Sequence, residues 1–356
     1  MASSKPNRIA IWAITPNGQK LADKLSQDLA AANVYISQNI AGKPLENQTF
    51  QSLSEIIKDK FHRYTGHIFI MSTGIVVRVI APLIRNKTED PAVVVVDDRG
   101  KHAVSLLSGH LGGANKLTLK AAEIIGANPV ITTATDVNNV PAIDVLAGER
   151  NLFIENPPAI KTVNMALLKN EKIFLHDPYE LLRNSLPNYE SWSYKGSPAD
   201  MKIDYEKIPG IFIDDINVSL PAEVLILRPK SLAAGIGCNR NTGTKEMKAL
   251  LADVFEIYNL SSACLKCIAS IDVKADESGL IALAENLSIP LLLFNRQELN
   301  QVENIKNPSS VVEKYVGVKS VCEAAAILAA KGGTLIVPKK ITKNVTLAIA
   351  RINYSS

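Results

Sequence analysis

The stretch from Ser108 to Asn115, SGHLGGAN, has the composition of a ligand-binding turn. Its glycines allow backbone N–H groups to approach a ligand closely, and its serine and asparagine add side-chain hydrogen-bonding groups. His110 adds a group that exchanges protons near neutral pH. The same composition is also found in a plain strand-to-helix turn, and the stretch in isolation does not decide between the two.

Two further polar clusters follow apolar runs that predict strands. Ser72-Thr73-Gly74 precedes an apolar segment typical of a helix, so its hydroxyls and the unpaired N–H groups of a first helical turn could hold an anion. A helix N-cap without a ligand is the alternative. Thr132-Thr133-Ala134-Thr135-Asp136 follows Val130-Ile131. Ligands of doubly wound folds bind outside the carboxyl ends of strands, so we predict that the three clusters share one rim and one small-molecule crevice.

The elements that must position these clusters alternate between strand and helix. Buried strands are predicted by apolar runs at residues 9–14, 34–36, 66–71 and 92–96. The segment 19–32 has leucines four residues apart, which is typical of a helix packed on a sheet, and residues 15–18 read as a loop. Asp97-Asp98-Arg99-Gly100 predicts a hairpin turn into a strand at 102–107. The alternation favours an α/β fold with a parallel sheet.

The sequence predicts three regions along the chain. We predict a Rossmann-like three-layer domain at 1–137, an irregular middle segment at 138–229 with a linker near 190–205, and a smaller α/β domain at 230–356. Ser320 and Glu323 have the spacing of a capping box at a helix start. His67 begins a predicted strand and is interpreted as a structural histidine.

Composition excludes several classes of protein. The chain has 356 residues, of which 47% are hydrophobic and 21% charged, which is ordinary for a globular protein. A net charge of +4 without basic runs argues against nucleic-acid binding and suits an anionic small molecule better. The first apolar run is too short for a signal peptide or a membrane span, so we predict a cytoplasmic protein without a membrane partner. Cys264 and Cys267 lack the second cysteine pair that a tetrahedral zinc site requires, so no metal site is predicted.

Two nucleotide-related functions are also disfavoured. Gly235 and Gly237 match the start of a dinucleotide fingerprint, but Arg240 occupies the place of the third glycine. The chain has no G-x-x-x-x-G-K-[ST] phosphate loop. A guanidinium in such a turn suits a carboxylate or a phosphate better, because it can hold either with two parallel hydrogen bonds.

Several motifs together resemble the cobalamin-biosynthesis family CbiG, the cobalt-precorrin 5A hydrolases. They are residues 9–18 (IAIWAITPNG), 66–78 (GHIFIMSTGIVVR), 107–115 (LSGHLGGAN) and 132–136 (TTATD). Residues 235–238 (GIGC), 271–277 (IDVKADE) and 320–325 (SVCEAA) are similar to the family's C-terminal domain, which also occurs alone as the CobE family. The resemblance extends from residue 8 to residue 351.

The resemblance implies a step of anaerobic corrin-ring construction. The substrate would be a cobalt-bearing, ring-contracted macrocycle with acetate and propionate arms, one of which has closed a δ-lactone onto the former meso carbon. Water would open this lactone, and the meso carbon would leave with its methyl group as acetaldehyde. The cobalt belongs to the substrate, so we expect no cofactor.

This chemistry selects the candidate residues. Lactone opening needs an acid or base and donors for the developing oxyanion. His110 is the candidate base, Asp136 or Asp97 would orient it or share its proton, and the amides of Gly109, Gly112 and Gly113 are candidate donors. Ser108 as a nucleophile is less favoured, because adjacency in sequence does not give triad geometry. Candidate groups for binding the substrate and its anionic arms are Ser72, Thr73, Gly74, Arg78, Arg85, Lys87, Ser108, Gly109, Gly112, Gly113, Asn115, Thr133, Thr135 and Arg240.

A non-catalytic corrinoid carrier or pathway chaperone is the main alternative function, because the same polar rims could hold the macrocycle without reacting with it. In either case the expected partner is a cobalt corrinoid. The sequence leaves the oligomeric state open, a homodimer included.

Overall fold

The computed structural model describes residues 8–40, 48–86, 89–191, 209–303 and 305–354. Lys87 and most of the predicted linker at 190–205 lie outside these residues. The chain separates into two compact units, Met1–Val145 and Leu146–Ser356. Both units combine helices with sheets, which confirms the predicted α/β class. The division into regions 1–137, 138–229 and 230–356 and the Rossmann-like character of the first region stay predictions.

The described part of unit 1 is built on a seven-stranded sheet in the order β3-β2-β1-β4-β5-β6-β7. Its strands are β1 (Ile9–Ala13), β2 (Ala32–Ser37), β3 (Gln48–Phe50), β4 (Gly66–Ile70), β5 (Ala92–Val96), β6 (His102–Leu107) and β7 (Asn128–Val130). Strands β1 to β5 run parallel, β6 is antiparallel to β5, and β7 is parallel to β6.

Helices cover both faces of this sheet. In β1, Ile9, Ile11 and Ala13 belong to one apolar cluster and Ala10 and Trp12 to another, as expected from the alternation of side chains along a strand. The first face packs against α1 (Pro16–Asp28) and α4 (Ala114–Ile125), the second against α2 (Leu53–Lys60) and α3 (Thr73–Ile80). Because both faces are covered, these strands are uninterrupted apolar runs in the sequence.

The turn after β1 is helical rather than a loop, which corrects the prediction for residues 15–18. Helix α1 begins at Pro16, a position where the missing N–H of proline costs nothing. Thr15 is the N-cap, and its Oγ1 accepts a hydrogen bond from the N–H of Gly18 at 3.0 Å. The same hydroxyl donates to Asp98, which follows β5.

The hairpin between β5 and β6 decides where the polar clusters lie. Because β6 runs in the opposite direction to β5, Leu107 pairs with Val93 near the start of β5. The stretch 108–115 and the cluster 132–136 therefore leave the sheet at the edge where β4 and β5 begin. Ser72-Thr73-Gly74 lies at the opposite edge, about 16 Å away for a five-residue strand. The prediction that all three clusters share one rim is wrong, because a hairpin reverses the direction of the chain.

His67 lies inside unit 1, which confirms its interpretation as a structural histidine. It is fully buried, accepts a hydrogen bond from Trp12 Nε1 at Nδ1 (3.1 Å) and donates from Nε2 to the carbonyl of Phe61 (3.0 Å). Burial lowers the pKa of His67 to about 4, so the imidazole is neutral.

The middle segment contains an ordered sheet, which corrects its prediction as irregular. In the described part of unit 2, five strands are arranged in the order β10-β9-β11-β12-β8. They are β8 (Phe153–Ile154), β9 (Ile173–His176), β10 (Tyr189–Ser191), β11 (Gly210–Ile213) and β12 (Val224–Arg228), with α7 (Ala159–Leu168) packed on β9 and β12. Strands of two to five residues are too short to give a recognisable period.

The C-terminal region forms another sheet of unit 2, as predicted. Its order over the described residues is β15-β14-β13-β17-β16, and β16 and β17 form an antiparallel hairpin. The strands are β13 (Leu232–Cys238), β14 (Leu265–Ile271), β15 (Leu291–Phe294), β16 (Thr334–Ile341) and β17 (Val345–Arg351). The helices are α8 (Thr244–Ile257), α9 (Ser278–Leu287), α10 (Arg296–Asn300), α11 (Ser310–Val316) and α12 (Val321–Ala329). Helix α12 lies directly on β13, since a Cβ at Gly235 would stand 1.9 Å from the carbonyl oxygen of Cys322.

Helix α12 begins with half of the predicted capping box. Ser320 Oγ accepts a hydrogen bond from the N–H of Glu323, as predicted. The Glu323 carboxylate does not close the box and accepts instead from the N–H groups of Lys306, Asn307 and Lys339. It thus connects α12 to the preceding loop and to β16, a tertiary role that local spacing cannot indicate. None of the helices within the described residues has the length and apolar character needed to cross a membrane.

Candidate active site

Residues from four segments of unit 1 meet around His110, in what we call the His110 site. The loop after β6 supplies His110, the start of α4 supplies Asn115, and α5 (Ala134–Val137) with its preceding loop supplies Thr133, Thr135 and Asp136. Asp144 comes from α6 (Ile143–Glu149). Side-chain contacts connect all of these residues.

His110 is held between two carboxylates. Its Nε2 lies 2.9 Å from Asp136 Oδ2 and 3.1 Å from Thr135 Oγ1, and its Nδ1 lies 3.4 Å from Asp144 Oδ2. The side chain of Asp144 is 7% exposed, whereas that of Asp136 is 40% exposed. One carboxylate thus supports the imidazole from inside the protein while the other is open to solvent.

Asn115 fixes the orientation of the exposed carboxylate. Its Oδ1 accepts a hydrogen bond from Ser105 Oγ at 2.6 Å, which leaves its Nδ2 as the donor side. That Nδ2 donates to Thr133 Oγ1 at 3.0 Å and to Asp136 Oδ2 at 3.1 Å. The start of α4 and the start of α5 are therefore joined through the site.

The glycines let the chain fold tightly beneath His110. The N–H of Ala114 donates to the carbonyl of Ser108, and that of Asn115 to the carbonyl of Gly109, both at 3.0 Å. A Cβ at Gly112 would stand 2.2 Å from the Cβ of Ser108, so no other residue fits there without movement of the loop. Gly113 has φ +85° at the N-cap of α4, a conformation that favours glycine.

Ser108 does not form a nucleophile–base pair with His110. Its backbone is in the left-handed region, with φ +59°. Its Oγ is buried and has no hydrogen-bond partner among the described residues. A serine nucleophile needs its base within hydrogen-bonding distance, so this geometry agrees with the lower rank given to Ser108.

The two carboxylates change the expected protonation of His110. The hydrogen bond with Asp144, opposed by burial and supported by Asp136, raises the pKa of His110 above its usual value. The imidazolium is therefore more populated near neutral pH than in an ordinary histidine. A histidine of this kind suits a general acid or an electrostatic donor better than the base that we expected from sequence.

This environment gives a first prediction for NMR. We expect His110, followed in ¹⁵N-histidine spectra, to titrate above the ordinary pKa of about 6.5. Asp144→Asn should lower its midpoint more than Asp136→Asn, because the buried carboxylate is less screened by solvent. Since the folded-state pKa is raised, the stability from this histidine is complete below about pH 6.5 and is lost as pH rises through the folded-state value. His67, which is neutral throughout this range, is the internal reference; a His110 midpoint at or below the ordinary value would contradict the prediction.

Asp144 was not identified from the sequence. It lies within the apolar segment Ile143–Leu146, which gave no indication of a functional role. The available signal was a carboxylate in an otherwise apolar helix, a residue type that is seldom buried without a partner. Only the packing of α6 against the loop after β6 brings it to His110.

The other candidates of unit 1 lie away from His110. Asp97, at the carboxyl end of β5, accepts hydrogen bonds from the N–H groups of Arg99 and His102 and so closes the hairpin turn. It lies at the opposite sheet edge from His110, which corrects its suggested role as a partner of the histidine. Ser72, Thr73 and Gly74 lie exposed at that same opposite edge.

The arginine candidates all have intramolecular contacts. Arg78 donates to the carbonyl of Gly74 at 3.3 Å, and Arg85 Nη1 lies 3.8 Å from Glu89 Oε2. Arg240 belongs to unit 2, where it pairs with Asp276 and donates to the carbonyl of Val273 at 2.8 Å. Its guanidinium thus connects the loop after β13 to the segment after β14.

Comparisons with known proteins agree with this architecture. Family models match along the chain: Cobalamin synthesis G N-terminal at residues 55–136, Cobalamin biosynthesis central region at 141–229 and Cobalamin synthesis G C-terminus at 232–350. A curated protein of Salmonella typhimurium named cobalt-precorrin-5A hydrolase is 37% identical over 346 residues, which cover 94% of this chain and 95% of that protein. One of the same name from Priestia megaterium is 32% identical over 97% of this chain and 95% of its own length.

A solved structure is similar to part of the chain. The crystal structure of CobE, a protein from the cobalamin (vitamin B12) biosynthetic pathway, is 36% identical and covers 34% of this chain and 89% of its own, with a TM-score of 0.33. The full-length identity to the curated hydrolases and the three consecutive model matches lead to one conclusion. The chain belongs to the cobalamin synthesis G family.

Proposed function

We propose that this protein is a cobalt-precorrin-5A hydrolase, which opens the δ-lactone of its substrate with water and releases acetaldehyde. The observation that carries the proposal is the His110 site, an acid–base group held between a buried and an exposed carboxylate at an open edge of the sheet. The full-length relatives that carry this enzyme name support it. The cobalt arrives in the substrate, so the protein needs to supply no metal of its own.

The first step is attack of water on the lactone carbonyl. Asp136 is the proposed proton acceptor, because its side chain is 40% exposed and its hydrogen bonds with His110 and Asn115 both use Oδ2. The amides of Gly109 and Gly112 are the nearby backbone donors for the oxyanion. The amide of Gly113, which the sequence also suggested, already donates to the carbonyl of His110 at 2.9 Å. When the acyl–oxygen bond breaks, the imidazolium of His110 donates its proton to the leaving oxygen.

The second step releases the two-carbon fragment. The former meso carbon then carries a hydroxyl and a methyl group. His110, neutral after the first step, accepts the hydroxyl proton as the bond from this carbon to the macrocycle breaks and the carbonyl of acetaldehyde forms. The macrocycle keeps the electron pair and takes up the proton that Asp136 gained in the first step. Asp136 is then again a carboxylate and His110 an imidazolium, which resets the site.

The proposed binding residues of unit 1 fall into two groups, those that lie around His110 and those that lie elsewhere. Ser108, Asn115, Thr133 and Thr135 surround His110 and would shape the pocket for the lactone ring. Ser72, Thr73, Gly74, Arg78 and Arg85 are not assigned to the lactone, because the first three lie at the other sheet edge and the arginines already have intramolecular contacts.

Anaerobic incubation with cobalt-precorrin-5A tests the function. We expect acetaldehyde in proportion to the macrocycle consumed, and ¹⁸O from labelled water in the new carboxylate arm, because water attacks the acyl carbon. No acetaldehyde above a protein-free control would overturn the proposal. Label that enters the macrocycle elsewhere would overturn the order of steps.

A further inference from the structure

A large cavity lies in the C-terminal region of unit 2, and no residue of the His110 site lines it. Its volume is about 520 Å³, and it is bounded by the ends of β13 and β14, the start of α12, helix α11 and the β16–β17 hairpin. We propose that this cavity is a corrinoid-binding site, in which apolar side chains contact the macrocycle and lysines hold its carboxylate arms. The proposal rests on the proposed function for the chemistry of its ligand.

The cavity is lined in part by large apolar side chains that are exposed to solvent. Val273, Tyr315 and Ile341 line it, and they are 42%, 75% and 65% exposed. Large apolar side chains that converge on one exposed concave surface are typical of a binding site. A corrin ring presents a broad, nearly flat apolar face, which is the complement that such a surface needs.

The charged part of the cavity has a single sign. Lys274, Lys339 and Lys343 line it, and no aspartate or glutamate is among the described residues that do so. Lys274 Nζ is held 3.4 Å from the buried carboxylate of Glu277, and Lys339 Nζ donates to the carbonyl of Asn307. These two cations are fixed in place, while Lys343 is exposed at the rim. The start of α12 at Ser320 adds N–H groups and the positive end of a helix.

These features together favour a carboxylate-bearing macrocycle over other small molecules. A simple phosphate or carboxylate would use the lysines but leave the apolar surface in water. A neutral apolar ligand would make no use of the lysines. A precorrin-type ligand uses both, because its acetate and propionate arms extend from the edge of an apolar ring.

Cys238 provides a reporter inside the cavity. It lines the cavity, and it is the one cysteine of the four that is not buried. Burial raises the pKa of its thiol, so alkylation with iodoacetamide should be run at alkaline pH. Cys238→Ser identifies the labelled position by loss of the modification.

The experiment measures protection of Cys238 in the full-length protein by dicyanocobyrinic acid. This probe keeps the carboxylate arms, has no lactone to hydrolyse, and has both axial positions of cobalt filled, so no cobalt–sulfur bond forms. We expect saturable protection. Dicyanocobinamide, in which amides replace the carboxylates of the arms, should give the same protection only at about tenfold higher concentration, since several ion pairs are lost.

Matched variants test the two halves of the cavity. Ile341→Asp and Lys343→Glu should each weaken protection by about tenfold, because they remove an apolar or a cationic contact and add a negative charge. Ile257→Asp and Lys266→Glu change exposed residues of the same type in unit 2 that do not line the cavity, and should leave protection unchanged. Absence of protection, equal protection by both probes, or insensitivity to the cavity variants would overturn the proposal. Protection without acetaldehyde release would leave this site standing while the hydrolase assignment fails, and the reverse result would remove only this site.

Discussion

Replacing His110 with glutamine is expected to lower kcat for acetaldehyde release by about 10²- to 10⁴-fold, the usual contribution of a positioned acid or base. Glutamine retains hydrogen-bonding groups near Asp136 and Asp144 but cannot donate a proton to the leaving oxygen. The measurement is single-turnover acetaldehyde release under anaerobic conditions. His102→Gln is the matched control, because His102 is an exposed histidine at the start of β6, away from the site.

A full rate in the His110→Gln variant would favour the non-catalytic carrier over the enzyme. Asp144→Asn separates positioning from chemistry. Because the buried carboxylate raises the pKa of His110, its loss should move the alkaline limb of the pH–rate profile to lower pH. A uniform loss of rate at all pH values would instead indicate a structural role for Asp144.

Replacing Asp215 with alanine is expected to lower the free energy of unfolding of unit 2 by about 3 kcal/mol, the low end of the range for a broken buried ion pair. Asp215 is fully buried after β11 and accepts hydrogen bonds from Arg351 Nε at 2.7 Å and Nη2 at 2.6 Å. It also accepts from Tyr179 at 2.7 Å and Ser231 at 3.0 Å. We use the low end of the range because the Arg351 side chain is 35% exposed, so water can solvate its guanidinium when Asp215 is removed.

Urea unfolding monitored by circular dichroism measures this effect. Asp253→Ala, at an exposed position of α8, should change stability by less than about 0.5 kcal/mol. Arg351→Met should destabilise to a similar extent as Asp215→Ala, because it leaves the carboxylate buried without its cation. A change in Asp215→Ala no larger than that in Asp253→Ala would show that the cluster does not stabilise the two sheets that it joins.

The sequence predicted those parts of the protein that local burial determines. Uninterrupted apolar runs located β1, β4 and β5, because strands covered on both faces need apolar side chains at every position. The glycine-rich stretch predicted a tight turn that carries a histidine between a strand and a helix, and the structure forms such a turn. Asp136 was selected together with His110 from its place after a strand, and the structure puts the two in contact.

The tertiary structure alone decided which of these pieces meet. The sequence identified the hairpin at residues 97–100, but its consequence, a reversal that takes His110 to the opposite edge from Ser72 and Asp97, emerged only in the assembled sheet. The contact of Asp144 with His110 and the cavity that contains Cys238 are both formed by segments that lie far apart in the sequence. Residue type and spacing indicate which residues of one segment are buried and which are exposed. The direction of a strand and the partner of a buried charge depend instead on contacts between distant segments.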